Sequence, residues 1–279
     1  MLRELAIRTL FHDRGKLVAG LIGVVFSVVL VNVQGGLFLG LIRKASLLID
    51  RSEADIWIGH RGMHNVDFPH SIPERWRRRV ESVPGVKEVA PLRIGFSEIS
   101  LPDGHYEGVV VVGIDRASSM GHVYGDLTGD PDPLAGVDSV VVDACDAEKL
   151  QHPELGELRE IGGRRVRITS NSYGILSFLV TPYVFTDYEH AATLTPIQPG
   201  EASYLLARVQ AGVDADATCE EIMRRLPDVT AMPSTTFADV SVKFWMTRTG
   251  LGISFGASTM LGLLVGLVMV GQTLYAMVL

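Results

Sequence analysis

Cysteine is scarce in this chain: Cys145 and Cys219 are the only two among 279 residues. Two thiols cannot build a disulfide framework, and they leave open one bridge or two free buried thiols. No Gly-x-x-x-x-Gly-Lys-Ser/Thr run occurs, which excludes nucleotide binding by a P-loop. Neither Cys-x-x-Cys nor His-Glu-x-x-His is present, which removes the common zinc spacings. A basic excess is missing too: the formal net charge is −7, which argues against a nucleic-acid partner. The most informative absence is local. Positions 250–279 hold no Asp, Glu, Lys or Arg, and neither do positions 17–42.

At ~1.5 Å per residue, a helix over the terminal run reaches ~45 Å, against a hydrocarbon core of ~30 Å. A charge at the centre of such a helix costs roughly 2.5–3.5 kcal/mol, while each Leu, Ile, Val or Phe contributes about −0.3 to −0.6 kcal/mol. Both uncharged runs therefore read as membrane spans. The average composition fits: 47% hydrophobic residues beside 20% charged ones, with the apolar content concentrated in the two runs. In the terminal span Gly252 and Gly256 are four apart, as are Gly262 and Gly266, so each pair shares a helix face that another helix can approach. Gln272 and Thr273 add polar groups near its far end. Gly252-Ile-Ser-Phe-Gly256 matches a nucleophile elbow, but Ser254 lacks the strand-turn-helix context that motif needs, so no nucleophile is assigned. No polar tail follows the run, and the expectation is that the sequence is a fragment of something longer.

At the other end, Met1 to Lys16 reads as an amphipathic helix, with Leu2, Leu5, Ala6 and Leu10 at helical spacing and Arg3, Arg8, Arg14 and Lys16 as basic charge. The span at 17–42 is longer than a signal-peptide core and no small-residue cleavage site follows it, so it reads as a signal anchor. Asn32 and Gln34 are polar intrusions expected to face other helices, and Gly36 and Gly40 repeat the four-residue spacing. The basic N-terminus places itself in the cytoplasm. Arg43 and Lys44 oppose that, but they precede a segment of about 200 residues, and long segments translocate largely regardless of charge. The middle of the chain is then extracytoplasmic.

That middle suits one sizeable domain or two small ones. A helical extension is expected over Ala45–Arg51, a strand at Ala54–Ile58, a helix over Pro73–Ser82 and a strand over Val86–Ser100. Tyr106–Ile114, with Val109 to Val112 at its centre, suits a buried strand. Further strands are expected at Val137–Val142, Val166–Thr169 and Tyr183–Phe185, a helix near Asp146–Leu150, and a stalk helix at Thr235–Arg248 with Phe244 and Trp245 near the interface. A weak repeat is visible: Ala54–Ile58, a helix over Pro73–Val83 and a strand after Pro84 match Tyr204–Val209, a helix over Asp216–Leu226 and a strand after Pro227. The two strand-helix-strand units are expected either to interleave as one split sheet or to be unrelated, since helix-Pro-strand junctions are generic.

Candidates for chemistry are few. His60, His64, His70 and Asp67 cluster in sequence, but Gly62 and Pro69 break any helix that would align them, and no metal site is assigned. Asp126, Asp130 and Asp132 lack the twelve-residue calcium pattern and its terminal Glu. The Arg75–Arg79 run reads as a solvated helix face, with contact to headgroups or a partner as the lesser alternative.

The order of basic helix, span, long extracytoplasmic domain and glycine-rich span resembles ABC-transporter permeases of the MacB/FtsX type, and more narrowly DevC-like exporter subunits. The stretches that carry the resemblance are Leu5–Asp13, Asn32–Gly40, Ala54–Ile58 and Val265–Tyr275. The resemblance implies a membrane protein, α plus α+β, with two transmembrane helices flanking an extracytoplasmic α+β domain of the MacB periplasmic core type. Its parts are a cytoplasmic amphipathic helix at 1–16, transmembrane helix 1 at 17–42, the core domain with stalk helices at 43–249 and transmembrane helix 2 at 250–279. Such permeases have four spans and a cytoplasmic loop that contacts a separate ABC ATPase subunit, so the sequence stops before the family's coupling loop. The resemblance further implies a bacterial inner-membrane location, a periplasmic adaptor, a second permease copy, membrane lipid, and no cofactor or catalytic residue. Helix-packing candidates are Gly36, Gly40, Gly252, Gly256, Gly262 and Gly266. Release of lipoproteins or activation of a cell-wall hydrolase remain alternative tasks within the family. A two-span sensor or receptor fragment is the alternative outside it.

Overall fold

The computed structural model describes residues 14–122, 125 and 127–278. The amphipathic helix expected over 1–16 lies almost wholly outside the described residues, and Asp126 lies outside them too. The chain divides into two compact units: residues 43–244, and a second unit built from the segments on either side.

In the larger unit, β1 (Ile56–His60), β3 (Val86–Ser100), β11 (Tyr204–Val209) and β12 (Val229–Pro233) lie in the order β12-β1-β11-β3, every neighbouring pair antiparallel. Each strand-helix-strand unit leaves a gap that a strand of the other fills, so the two repeats interleave as one split sheet. Trp57 of β1 and Tyr204 of β11 face one side; Ile56, Ile58, Leu205 and Ala207 face the other, as the period of two requires. The second side is covered by Val80 of the short helix α2 (Arg77–Glu81) and by Cys219 and Ile222 of α4 (Ala215–Arg225), with Leu226 just past its end. Asp214 caps α4 by accepting from the Asp216 and Ala217 amides. The helix expected over Pro73–Ser82 is shorter than its sequence suggests. Pro73 is followed by a 3₁₀ turn at Glu74–Trp76, and Gly85, at φ +91°, turns the chain into β3.

β3 continues past this sheet to pair with β4 (Tyr106–Ile114). From β4 the ladder runs through β9 (Tyr183–Asp187), β6 (Ser139–Asp143), β8 (Arg164–Ser172) and β7 (Leu158–Ile161), and β7 returns to β3 at Ile99–Ile161. Those six strands close a ring, which removes the exposed edges an open sheet would carry. Val109, Val111, Val140, Val142, Val184, Val166 and Ile168 form one apolar cluster, while Val110, Val112, Val141 and Phe185 join the core around Trp57, Tyr204 and Phe237. The Val109–Val112 run is therefore buried on both faces, which is why it shows no alternation. Between β6 and β7 the expected helix is a 3₁₀ turn, Ala144–Asp146, followed by hydrogen-bonded turns. The helix α3 (Tyr188–Leu194), the ribbon pairing β2 (Ile72–Pro73) with β10 (Glu201–Ala202), β5 (Thr128–Gly129) and β7 are elements that the sequence reading lacks.

Among the described residues, two helices are long and apolar enough to cross a membrane. One is α1 (Arg14–Asp50), and the other is α6 (Leu251–Val278), each with a window of mean hydropathy 2.1. α1 is unbroken over its 37 residues. The returning segment is not: α5 (Ser234–Arg248) ends and Gly250, at φ +72°, separates it from α6. An L side chain rarely adopts that conformation, so glycine permits the break.

Candidate functional site

Within the membrane-length unit, α1 and α6 meet along one face. A Cβ built on Gly262 would sit 2.8 Å from Leu30 Cδ2, one on Gly266 2.9 Å from Ser27 Cβ, and one on Gly23 3.3 Å from Met269 Cβ. The Phe38 and Phe255 rings lie 5.7 Å apart. Gly262 and Gly266 thus stand in close contact with side chains of the other helix. Gly36, Gly40 and Gly256 do not: among the described residues nothing lies within 4 Å of a Cβ at any of them. Gly252 is pressed instead against the Met246 carbonyl, 2.6 Å from its would-be Cβ. Gln272 is exposed, Ser254 lies inside α6, and the Thr273 side chain lies outside what is described.

In the larger unit the histidine cluster assembles nothing. His60 and His70 rings are 5.1 Å apart and His64 stacks on Phe244, but Asp67 turns inward, where the Tyr183 hydroxyl donates to it at 3.2 Å. Among the described residues no three His, Cys, Asp or Glu side chains converge on a metal position. Asp132 pairs with Arg116 at 3.0 Å, and Asp130 accepts from the Asp132 amide. Arg75, Arg78 and Arg79 are exposed, whereas Arg77 pairs with Glu81 at 2.9 Å and Asp115 at 3.2 Å. Cys145 is exposed and Cys219 buried, both free. Burial, with Asp216 and Asp214 nearby, pushes the Cys219 thiol up to about 12, so it stays protonated and unreactive.

Two buried charged groups organise this unit, and sequence reasoning singled out neither. Asp143, wholly buried at the end of β6, accepts from the amides of Cys145 (2.9 Å), Gly174 (3.1 Å) and Ile175 (2.8 Å) and from the Ser172 hydroxyl (2.9 Å). Burial pushes its carboxyl up, but those four donors outweigh it and hold it below the usual carboxylate range. Arg93, 1% exposed, lies over the Tyr188 ring at 3.8 Å and donates to the Tyr188 and Glu201 carbonyls. Its Nη2 is 3.5 Å from Glu74, to which the Tyr188 hydroxyl also donates. One guanidinium therefore ties β3, α3 and the β2–β10 ribbon together. Burial pushes the Tyr188 hydroxyl well up, with Arg93 drawing it partly back, so it remains a donor. A charge between Leu92 and Ile94 in a strand pattern is the faint signal for Arg93; Asp143 as the last residue of a valine strand is fainter still.

No protein-family model matches the chain, and no curated protein matches it in sequence. Solved structures do match. The periplasmic region of MacB from Actinobacillus actinomycetemcomitans superimposes with a TM-score of 0.50 at 12% identity, over 67% of this chain and 92% of that one. The chain shares the fold of the MacB periplasmic region. Also similar is the extracellular domain of the ABC-type transporter YknZ from Gram-positive bacteria, at a TM-score of 0.47 and 15% identity, over 64% of this chain and 98% of that one. In this chain the MacB-type fold is flanked on both sides by apolar helices of membrane length.

Proposed function

We propose that the chain is the permease subunit of an ABC-type exporter, coupling a separate ATPase to an extracytoplasmic domain by mechanotransmission. The observation that carries this reading is the insertion of a MacB-type α+β domain between two apolar helices of membrane length. ATP hydrolysis belongs to the separate subunit, and no residue of this chain is catalytic. The N-terminus is cytoplasmic, the domain lies outside the cytoplasmic membrane, and a periplasmic adaptor and a second permease copy complete the assembly. Transmission of force needs elements that move as bodies without absorbing the displacement. An unbroken 37-residue helix, a closed strand ring and a guanidinium that ties three elements together suit that task. The test is to express the tagged chain with each ABC ATPase subunit of its source cell in turn, then purify from mild detergent. One ATPase is expected to co-purify and to change its turnover when the chain is present. Failure of every ATPase to bind would refute the reading.

A further inference from the structure

We propose that a recess on the outer face of the strand ring binds a free α-amino acid with an apolar side chain, its carboxylate on Arg165 and its ammonium on Glu160. The recess is about 320 Å³, lined by Ser100 at the end of β3, by Leu158, Arg159 and Glu160 of β7 and by Arg165 of β8. Ligand pockets run from about 300 to 1,000 Å³, so this one suits a small ligand. Ile161 and Val166 belong to the apolar cluster inside the ring. One residue along from each, the side chains of Glu160 and Arg165 are exposed on the outside, as the period of two requires.

Glu160 and Arg165 stand directly opposite each other in the β7–β8 pair. Opposite charges so placed commonly close on one another. These do not: among the described residues neither side chain has an ion-pair or hydrogen-bond partner. The neighbouring Arg159 is the contrast. It is 6% exposed, pairs with Glu157 at 2.6 Å and donates to the Ser100 and Leu150 carbonyls, so its charge is answered and it fixes the wall of the recess. Ser100 Oγ accepts from the Glu160 amide at 2.9 Å, and its own hydrogen has no acceptor among the described residues.

The recess therefore offers donors on Arg165 and Ser100 beside an acceptor on Glu160. A simple anion would be repelled by Glu160, and a simple cation by Arg165. A zwitterion satisfies both. Opposed residues hold their Cβ atoms about 4.5–5.5 Å apart, a gap that a carboxylate and an ammonium on one carbon can bridge. The guanidinium can grip the carboxylate through two parallel N–H···O bonds. Leu158, 43% exposed, gives the ligand's side chain an apolar wall. None of this depends on the membrane-length helices or on an ATPase.

Equilibrium dialysis of the purified full chain in detergent against radiolabelled L-leucine is the test. Saturable binding is expected, and Arg165→Gln should weaken it about ten- to hundredfold, as loss of a charged hydrogen-bonding partner does. Leucinamide lacks the carboxylate and N-acetyl-leucine lacks the ammonium, and each should compete about ten- to hundredfold less well than leucine. Glu160→Gln should weaken leucine while binding N-acetyl-leucine no worse than the wild type does. Both side chains are exposed, so both variants should keep the wild-type Tm, which separates loss of ligand from loss of fold. No saturable binding by the folded wild type, or equal binding by Arg165→Gln, overturns the site. Equal competition by either derivative overturns the zwitterion.

Discussion

Replacing Asp143 by Asn changes one atom's chemistry at a fully buried site, and its cost can be worked from the contacts. Oδ1 accepts from the Cys145 and Gly174 amides, while Oδ2 accepts from the Ile175 amide and the Ser172 hydroxyl. The asparagine will place its NH₂ on the Oδ2 side, because there the serine hydroxyl can turn and accept. That leaves one orphaned donor, the Ile175 amide, at about 1–3 kcal/mol, and two bonds that lose charge assistance at about 1 kcal/mol each. Relief of the buried charge offsets part of this, leaving a net loss of about 2–4 kcal/mol. At roughly 2–4 °C per kcal/mol for a unit of this size, Tm should fall by roughly 5–15 °C.

The same contacts fix the pH dependence. Because the folded carboxyl titrates below its unfolded value of about 3.9, its stabilisation is present above that pH and is lost as pH falls through the folded pKa. The gap in Tm between wild type and Asp143→Asn should therefore be widest near neutrality and narrow below about pH 4. Thermal unfolding of the purified chain in detergent, followed by tryptophan fluorescence from Trp57 and Trp76 in this unit, reads both quantities. An equal Tm at pH 7, or a gap that does not change with pH, would refute the reasoning.

Three other outcomes are expected. Arg93→Met should cost about 3 kcal/mol, toward the lower end for a broken buried pair, because Glu74 remains partly solvated; denaturant midpoints at constant slope check it. Gly113→Ala should lose about 1–3 kcal/mol by overpacking, since the added methyl falls on the Ala191 side chain and lies 3.3 Å from Tyr188 Cα, and the melting curve of that variant reads it. Gly262→Leu with Gly266→Leu should abolish export while membrane insertion persists, because the side chains would occupy the space of Leu30 and Ser27; normal export by an inserted double variant would sink the packing argument.

What was legible in the sequence is what local pattern encodes. Runs without charge announce helices α1 and α6, the unbroken valine run at 109–112 announces β4, and prolines 84 and 227 mark where two helices give way to strands. Even the interleaving of the two strand-helix-strand units was within reach, since antiparallel neighbours need only two similar units. The ring closure was not. It depends on Ile161, in a four-residue strand, finding Ile99 some sixty positions away. A strand that short carries too few alternations to stand out from a loop.

The glycines divide along the same line. Spacing by four marks all three pairs alike, because it records only which residues share a helix face. Whether a face meets a neighbour depends on how the second helix lies across it, and that separates Gly262 and Gly266, which meet α1, from Gly36, Gly40 and Gly256, which are open. Asp143 and Arg93 are illegible for a related reason. Each is a charge whose burial is tolerable only because donors or acceptors arrive from distant segments, Gly174 and Ile175 for the one, Tyr188 and Glu201 for the other. A sequence read locally assigns such residues to the surface, since an unpaired buried charge would cost several kcal/mol.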